Sequence, residues 1–422
     1  MQKETIAIHA GYDKKQGNGE MSVPISQTTA YAFRDAEHAA NLFALKELGP
    51  IYTRLNNPTT DVLEQRFAQL EGGAAALCVS SGQSSIFFAI ANVASAGDNI
   101  LISDKLYGGA VTLLTHTIKR FGIEARIFKV SDASNLEEQI DDKTKAIFFE
   151  SLSNPQIAVA DVESIVSIAK RNGVLTICDN TVASAALFNP ISWGVDVVVH
   201  STSKYTNGQG SAIGGIIVER DGLAEFFKEN AEKYTEFTQP DPSYHGLVYV
   251  DVPLPNFCLR GRLSLLRDIG AVQSPHNSWL LIQTLETLAL RMEKHSANAL
   301  KIAKFLSTNS KVKSVNYPGL ESSSDYDKAQ KYFKDGKSSG LISFEAESFE
   351  AAKTVINSAK LFSVVVNIGD SKSLIVHPAS TTHSQMSEEE LINAGVNPTT
   401  VRLSIGLEDP KDLIEDLEQA LS

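Results

Sequence analysis

The chain has little sulfur and little tryptophan: three cysteines, four methionines and two tryptophans among 422 residues. Cys78, Cys178 and Cys258 stand far apart and form no CxxC pair. Neither a disulfide framework nor a thiolate metal site is therefore expected. Cys78 and Cys178 fall in apolar, strand-like runs and read as buried filler of a reducing compartment. Long hydrophobic runs are missing too. The apolar stretches are strand-length or broken by polar residues, so no membrane span is expected. The start, MQKETIAIHAGYDKK, lacks the apolar core of a signal peptide, which points to the cytoplasm. Basic charge is in deficit, with a net charge of −12. That argues against a nucleic-acid or anionic-membrane surface, where phosphates call for a basic patch, and leaves small molecules as the expected partners.

What is present is an ordinary folded composition, 43% hydrophobic and 21% charged, long enough for two or three domains. Residues 1–58 are irregular apart from a helix-like DAEHAANLFALKEL and read as an arm that contacts a neighbouring subunit. From Thr59 the pattern becomes regular. TTDVLEQRFAQLEGG opens on threonines suited to capping and stops at Gly72-Gly73. Apolar runs ALCVS, NILIS, EARIF, AIFFE, VLTIC, VDVVVH and GGIIVE then alternate with helical segments such as SSIFFAIANVAS and DVESIVSIAKRNG. Such alternation predicts an α/β fold, with a mainly parallel sheet of about seven strands and helices on both faces. Phe226–Pro255 reads as a loop region, and one long amphipathic helix is expected over 277–309. The expected domains are 59–258, large, and 259–422, a smaller α+β domain.

In an open parallel sheet, ligands bind at the carboxyl ends of the strands. Four such ends carry SGQSS (81–85), SLSNP (151–155), DNT (179–181) and STSK (201–204). SGQSS is either a plain serine-capped turn or a helix N-terminus presenting free N–H groups to phosphate. It is neither a P-loop nor GxGxxG, and the glycines of GQGSAIGG precede a strand, which a dinucleotide fingerprint does not. Asp179 is either a turn cap or a carboxylate for a cationic ring nitrogen, since an unpaired carboxylate at the end of an apolar strand is costly. Lys204 is either a surface lysine or a desolvated amine able to form a Schiff base. Phosphate donors, a carboxylate for a ring and a lysine for an aldehyde together describe one ligand, pyridoxal 5'-phosphate (PLP).

VDVVVHSTSKYTNGQGSAIGG, at 195–215, resembles the lysine signature of the cysteine/methionine-metabolism family of PLP enzymes. The likeness extends to IYTRLNNPT (51–59), SSGQSS (80–85), LYGG (106–109), ESLSNP (150–155), SLIVHPASTTH (373–383) and VRLSIGLED (401–409). It implies the type I fold of PLP-dependent transferases, with 59–258 as the PLP-binding domain. It also implies a role for each matching residue. Lys204 would carry PLP and move protons, Asp179 would pair with the ring nitrogen, and Tyr107 would stack on the ring. Ser81, Gly82, Gln83, Ser201 and Ser203 would hold the phosphate, with Tyr52 and Arg54 arriving from a neighbouring subunit of a homotetramer. Asn154 would lie near the ring hydroxyl. Arg402, helped by Ser373, would grip the substrate α-carboxylate. No metal is implied, and His377 and His383 read as structural. HAANLFALKELGPIYTRLNNPTTDVLEQR and FTQPDPSYHGLVY are similar to the branch that exchanges the acetate of O-acetylhomoserine for sulfide or methanethiol. Cystathionine synthesis and γ- or β-elimination are the rival activities. One departure is Gln209, in NGQG, where that branch usually has histidine.

Overall fold

A computed structural model describes residues 1–15, 19–130, 133–381 and 397–422; His383 lies outside them. All seven apolar runs form strands: β1 Ala75–Val79, β2 Asn99–Ser103, β3 Glu124–Phe128, β4 Thr144–Glu150, β5 Leu175–Asp179, β6 Val197–Ser201 and β7 Gly215–Glu219. They build one sheet in the order β1-β7-β6-β5-β4-β2-β3. β6, β5, β4, β2 and β3 run parallel, and β7 lies antiparallel between β1 and β6.

Successive side chains along a strand point to opposite faces. Phe148, Ile177 and Val199 pack on one face with Ile86 and Phe88, while Phe149, Cys178 and Val198 pack on the other with Leu63 and Phe67. Burial on both faces is what makes these strands continuously apolar. All three cysteines are buried and free.

The helices follow local signals with instructive departures. α1 (Lys3–His9) lies in the arm, where only α2 (Ala36–Phe43) was expected. Seven residues are too few to show a period, and α1 is held by tertiary contacts: Ala7 is buried and Lys3 Nζ donates to Ala185 O. α3 (Pro58–Glu71) is capped by Asn57, whose side chain accepts from Thr59 N, rather than by the threonines. Thr59 and Thr60 spend their hydroxyls elsewhere, on Pro24 O and Ser278 Oγ. Gly72 ends α3 in the left-handed conformation, φ 76°, as a helix C-terminus favours. α4 (Gly82–Ala91), α5 (Gly108–Thr112) and α6 (Val162–Arg171) fill crossovers. The region 226–255 is not all loop, since it holds the end of the helix Leu223–Glu229 and the whole of the helix Thr235–Thr238.

The long helix expected over 277–309 is two helices, α7 (Pro275–Leu285) and α8 (Leu288–Thr308). At the break the Thr284 hydroxyl donates back to Leu280 O and Leu281 O, and Arg291 Nη2 takes the Thr284 carbonyl. Hydroxyls that bond back in this way bend helices. Leu281 and Leu285 of α7, with Leu288 and Met292 at the start of α8, join the core of the large sheet, while Ala299, Ile302 and Leu306 further along α8 join a second core. That core lies under a five-stranded sheet of β8 (Val312–Asn316), β9 (Leu341–Ala346), β10 (Ser363–Val364), β11 (Leu374–Val376) and β12 (Thr400–Ser404), in the order β10-β11-β12-β9-β8.

Candidate active site

Three strand tips and one helix start meet at the carboxyl edge of the large sheet. β4 ends on Glu150, β5 on Asp179 and β6 on Ser201, and α4 starts at Gly82, just past β1. A cavity of ≈ 370 Å³ opens between them and the small sheet, which contributes Arg402 and the neighbouring Asn367. Its size suits a small organic ligand.

At one end sits α4. Ser81 caps it by accepting from Ser84 N. A Cβ on Gly82 would lie 2.5 Å from Ser201 Cβ, so only glycine lets the helix N-terminus approach Ser201. Ser203 bonds Gly214 through both its hydroxyl and the Gly214 N–H. Gln83 reaches over to Gly109 O. The result is a cradle of N–H and hydroxyl groups, the setting that suits phosphate.

The opposite wall is acidic. Asp179 and Glu150 are paired neighbours on β5 and β4. Thr181 N donates to Asp179 Oδ1 at 2.8 Å. Glu150 accepts from Tyr107 N at 2.6 Å and from Asn154 N at 3.1 Å. Burial pushes both carboxyls up, and Asp179 pushes Glu150 further. Neither has an ion-pair partner among the described residues, so a cationic ring nitrogen would supply the missing charge.

The basic side is built from distant parts of the chain. Lys204 Nζ donates to Asn367 Oδ1 at 2.6 Å. Arg402 donates from Nη1 to Asn154 Oδ1 at 2.9 Å and from Nη2 to Asn367 O at 3.1 Å. Among the described residues its buried Nε has no partner and no carboxylate pairs with it. A buried guanidinium in that condition asks for an anionic ligand.

The family model for the Cys/Met metabolism PLP-dependent enzymes matches residues 4–422. This chain belongs to that family. An O-acetyl-L-homoserine sulfhydrylase of Leptospira meyeri is 46% identical over 99% of this chain and 96% of its own. One from Thermus thermophilus is 43% identical with both chains fully covered. A solved structure from Campylobacter jejuni, described as a candidate O-acetylhomoserine (thiol)-lyase, carries N'-pyridoxyl-lysine-5'-monophosphate. It superposes with a TM-score of 0.98 at 53% identity over all of both chains. The cavity of this Cys/Met-metabolism enzyme fits PLP on its own terms: its lining brings together Gly82 at a helix N-terminus, two carboxylates without an ion-pair partner among the described residues, the Lys204 amine and the Tyr107 ring.

Not every residue expected in the site lines this cavity. Ser373 does not: its hydroxyl donates to Glu408 Oε2 and its N–H to Glu408 Oε1. Asn367 stands beside Arg402 instead. Tyr52 and Arg54 lie outside the walls, with the Arg54 guanidinium 5.6 Å from the Tyr52 ring centroid and bonded to Arg267 O. Gln209 is exposed and also outside. His377 is held by Ser380 Oγ and Pro398 O. Glu150 and Asn367 went unrecognised in the sequence. Glu150 closes the strand AIFFE, so inspection of the last strand residue would have found it. Asn367 left no signal.

Burial, with Arg402's charge adding to it, lowers the Lys204 amine to about 8. The amine is therefore charged and unreactive below that pH and neutral above it. In cofactor-free protein, acylation of Lys204, followed by peptide mass spectrometry, is expected to rise with pH to a half-maximum at about 8. A midpoint at the ordinary 10.5 would show that the amine is not desolvated.

Proposed function

We propose that this enzyme replaces the γ-acetate of O-acetylhomoserine, giving homocysteine with sulfide or methionine with methanethiol and releasing acetate, in methionine biosynthesis. The observation that carries the reading is the juxtaposition of Lys204 and Arg402, both tied to Asn367, inside one cavity. Arg402 binds the substrate α-carboxylate through its paired nitrogens and orients Cα toward Lys204. Lys204 Nζ takes the Cα proton and returns protons during turnover. Asp179 would pair with the ring nitrogen of PLP, Tyr107 would stack on the ring, and Asn154 would lie near the ring hydroxyl. Ser81, Gly82, Gln83, Ser201 and Ser203 would hold the phosphate. The buried Leu152 and the exposed Ile213 and Val366 supply apolar lining to the cavity. Bound PLP supplies the electron sink that allows negative charge to build at Cα. Sulfur arrives from solution, which leaves the three buried cysteines without a chemical part.

We also infer a homotetramer in the cytoplasm, with Tyr52 and Arg54 of one subunit completing the phosphate site of the next. Their position outside the walls of their own cavity supports this. No helix among the described residues is long and apolar enough to cross a membrane.

The test supplies O-acetylhomoserine with and without sulfide and measures homocysteine against ammonia plus 2-oxobutyrate. Homocysteine should form only with sulfide, with little keto acid in its absence. Rapid keto acid in both arms would make the enzyme a lyase; in a third arm with cysteine in place of sulfide, cystathionine formed where sulfide gives no homocysteine would make it a cystathionine synthase.

A further inference from the structure

The back of the large sheet carries a second polar cluster, directly behind the cavity. Glu150, Asp179 and Ser201 face the cavity. The residues next to them, Ser151, Asn180 and His200, turn the other way and are buried beside α3. There they meet Glu71, the last residue of α3, which is fully buried.

Glu71 Oε1 accepts from His200 Nε2 at 2.6 Å and from Asn180 Nδ2 at 2.9 Å. Glu71 Oε2 accepts from Asn189 Nδ2 at 3.0 Å. The Ser151 hydroxyl donates to Asn180 Oδ1 at 2.7 Å. The His200 ring stands edge-on to Phe67, 4.9 Å between centroids. One carboxylate thus ties the tips of β5 and β6 to α3, and reaches β4 through Asn180 and Ser151.

A stability role alone does not account for this cluster. A buried charged pair is often replaced by apolar side chains of similar volume without loss. Its position is informative, because each tie acts one residue away from a group that faces the cavity. Charge-assisted hydrogen bonds in a closed network hold geometry more tightly than packing does.

We propose that Glu71 is a positioning residue for the cofactor: by holding His200 and Asn180 it sets the places of Ser201 and Asp179 and thereby the strength of PLP binding. The inference rests on the reading above that Asp179 and Ser201 hold PLP. Glu71 touches no ligand, so its effect runs wholly through the strand tips.

The test compares the unaltered holoenzyme with E71Q, S151A and D179N. Each is diluted, and release of PLP is followed by the visible absorbance of the bound cofactor. Thermal unfolding is recorded alongside. E71Q should raise the PLP dissociation constant by about tenfold, the effect of losing one charge-assisted bond, and should shift the visible band. S151A, which leaves Glu71 in place and removes a single hydroxyl, should move both in the same direction by less. A purely structural Glu71 would lower the unfolding temperature and leave PLP affinity and the band alone. The proposal is overturned if E71Q retains PLP within about twofold of the unaltered enzyme while D179N releases it. If D179N also retains PLP, the assignment of Asp179 falls instead. Should E71Q fail to fold, S151A decides, and an unchanged affinity and spectrum there overturn the proposal.

Discussion

Lys204→Ala is expected to abolish the visible absorbance of bound PLP and to lower turnover by about 10⁴-fold or more. Lys204 carries the single amine among the described residues that line the cavity, so none of them can take its place. Its two tasks, holding the cofactor and moving the Cα proton, are lost together. The fold should survive. Lys204 Nζ makes one side-chain hydrogen bond, to Asn367 Oδ1, and removing a partly buried amine relieves desolvation. Lys204→Arg separates charge from chemistry, because a guanidinium stays protonated at any working pH. It keeps the positive charge and should fail as badly as alanine. A tenth or more of the activity remaining in either variant would remove Lys204 from the mechanism.

Arg402→Met is expected to lower kcat/KM by about 10²–10³-fold, mostly through KM. Two charge-assisted bonds to a carboxylate contribute about 3–4 kcal/mol together, which converts to that factor. Stability should move the other way. Arg402 is buried, its Nε is unpartnered among the described residues and burial lowers it to about 10. A guanidinium held without a counter-ion costs the folded state free energy in the absence of substrate. The cofactor-loaded variant should therefore unfold at the same temperature as the parent or a higher one, although Asn154 Oδ1 loses its donor. Arg402→Lys should restore little, since an ammonium cannot make the paired contact. A sharp fall in unfolding temperature with KM unchanged would make Arg402 a structural residue and would leave the α-carboxylate without a partner.

The strand pattern was legible because burial on both faces forces continuous apolar runs in the strands inside the sheet; all seven runs became strands, with β3 at the edge burying only Phe128. Lys204, Asp179 and Gly82 were legible for a different reason. Each stands just where an apolar strand stops, and a charged or glycine residue there is costly unless it is used. Other features were hidden because distance along the chain says nothing about contact. Asn367 lies 163 residues from Lys204 and 35 from Arg402, in a segment whose composition looks like an ordinary exposed strand edge. Ser373 sits in a run that resembles the family motif, yet Glu408 captures it. The long helix over 277–309 breaks where the Thr284 hydroxyl bonds back to Leu280 O and Leu281 O, a contact that helical periodicity does not announce.

By itself the sequence determined the α/β alternation, the strand ends that carry chemistry, and the kind of ligand those ends could hold. These are local properties: periodicity, the cost of a charge beside apolar residues, and the freedom of a glycine. The tertiary structure decided which strand tips stand side by side, that Arg402 and Asn367 close the cavity from the small sheet, and that Glu71 gathers His200, Asn180 and Asn189 behind it. Those are matters of sheet order and of packing between the two sheets. Hydrogen bonds form only when such contacts bring their atoms within about 3 Å.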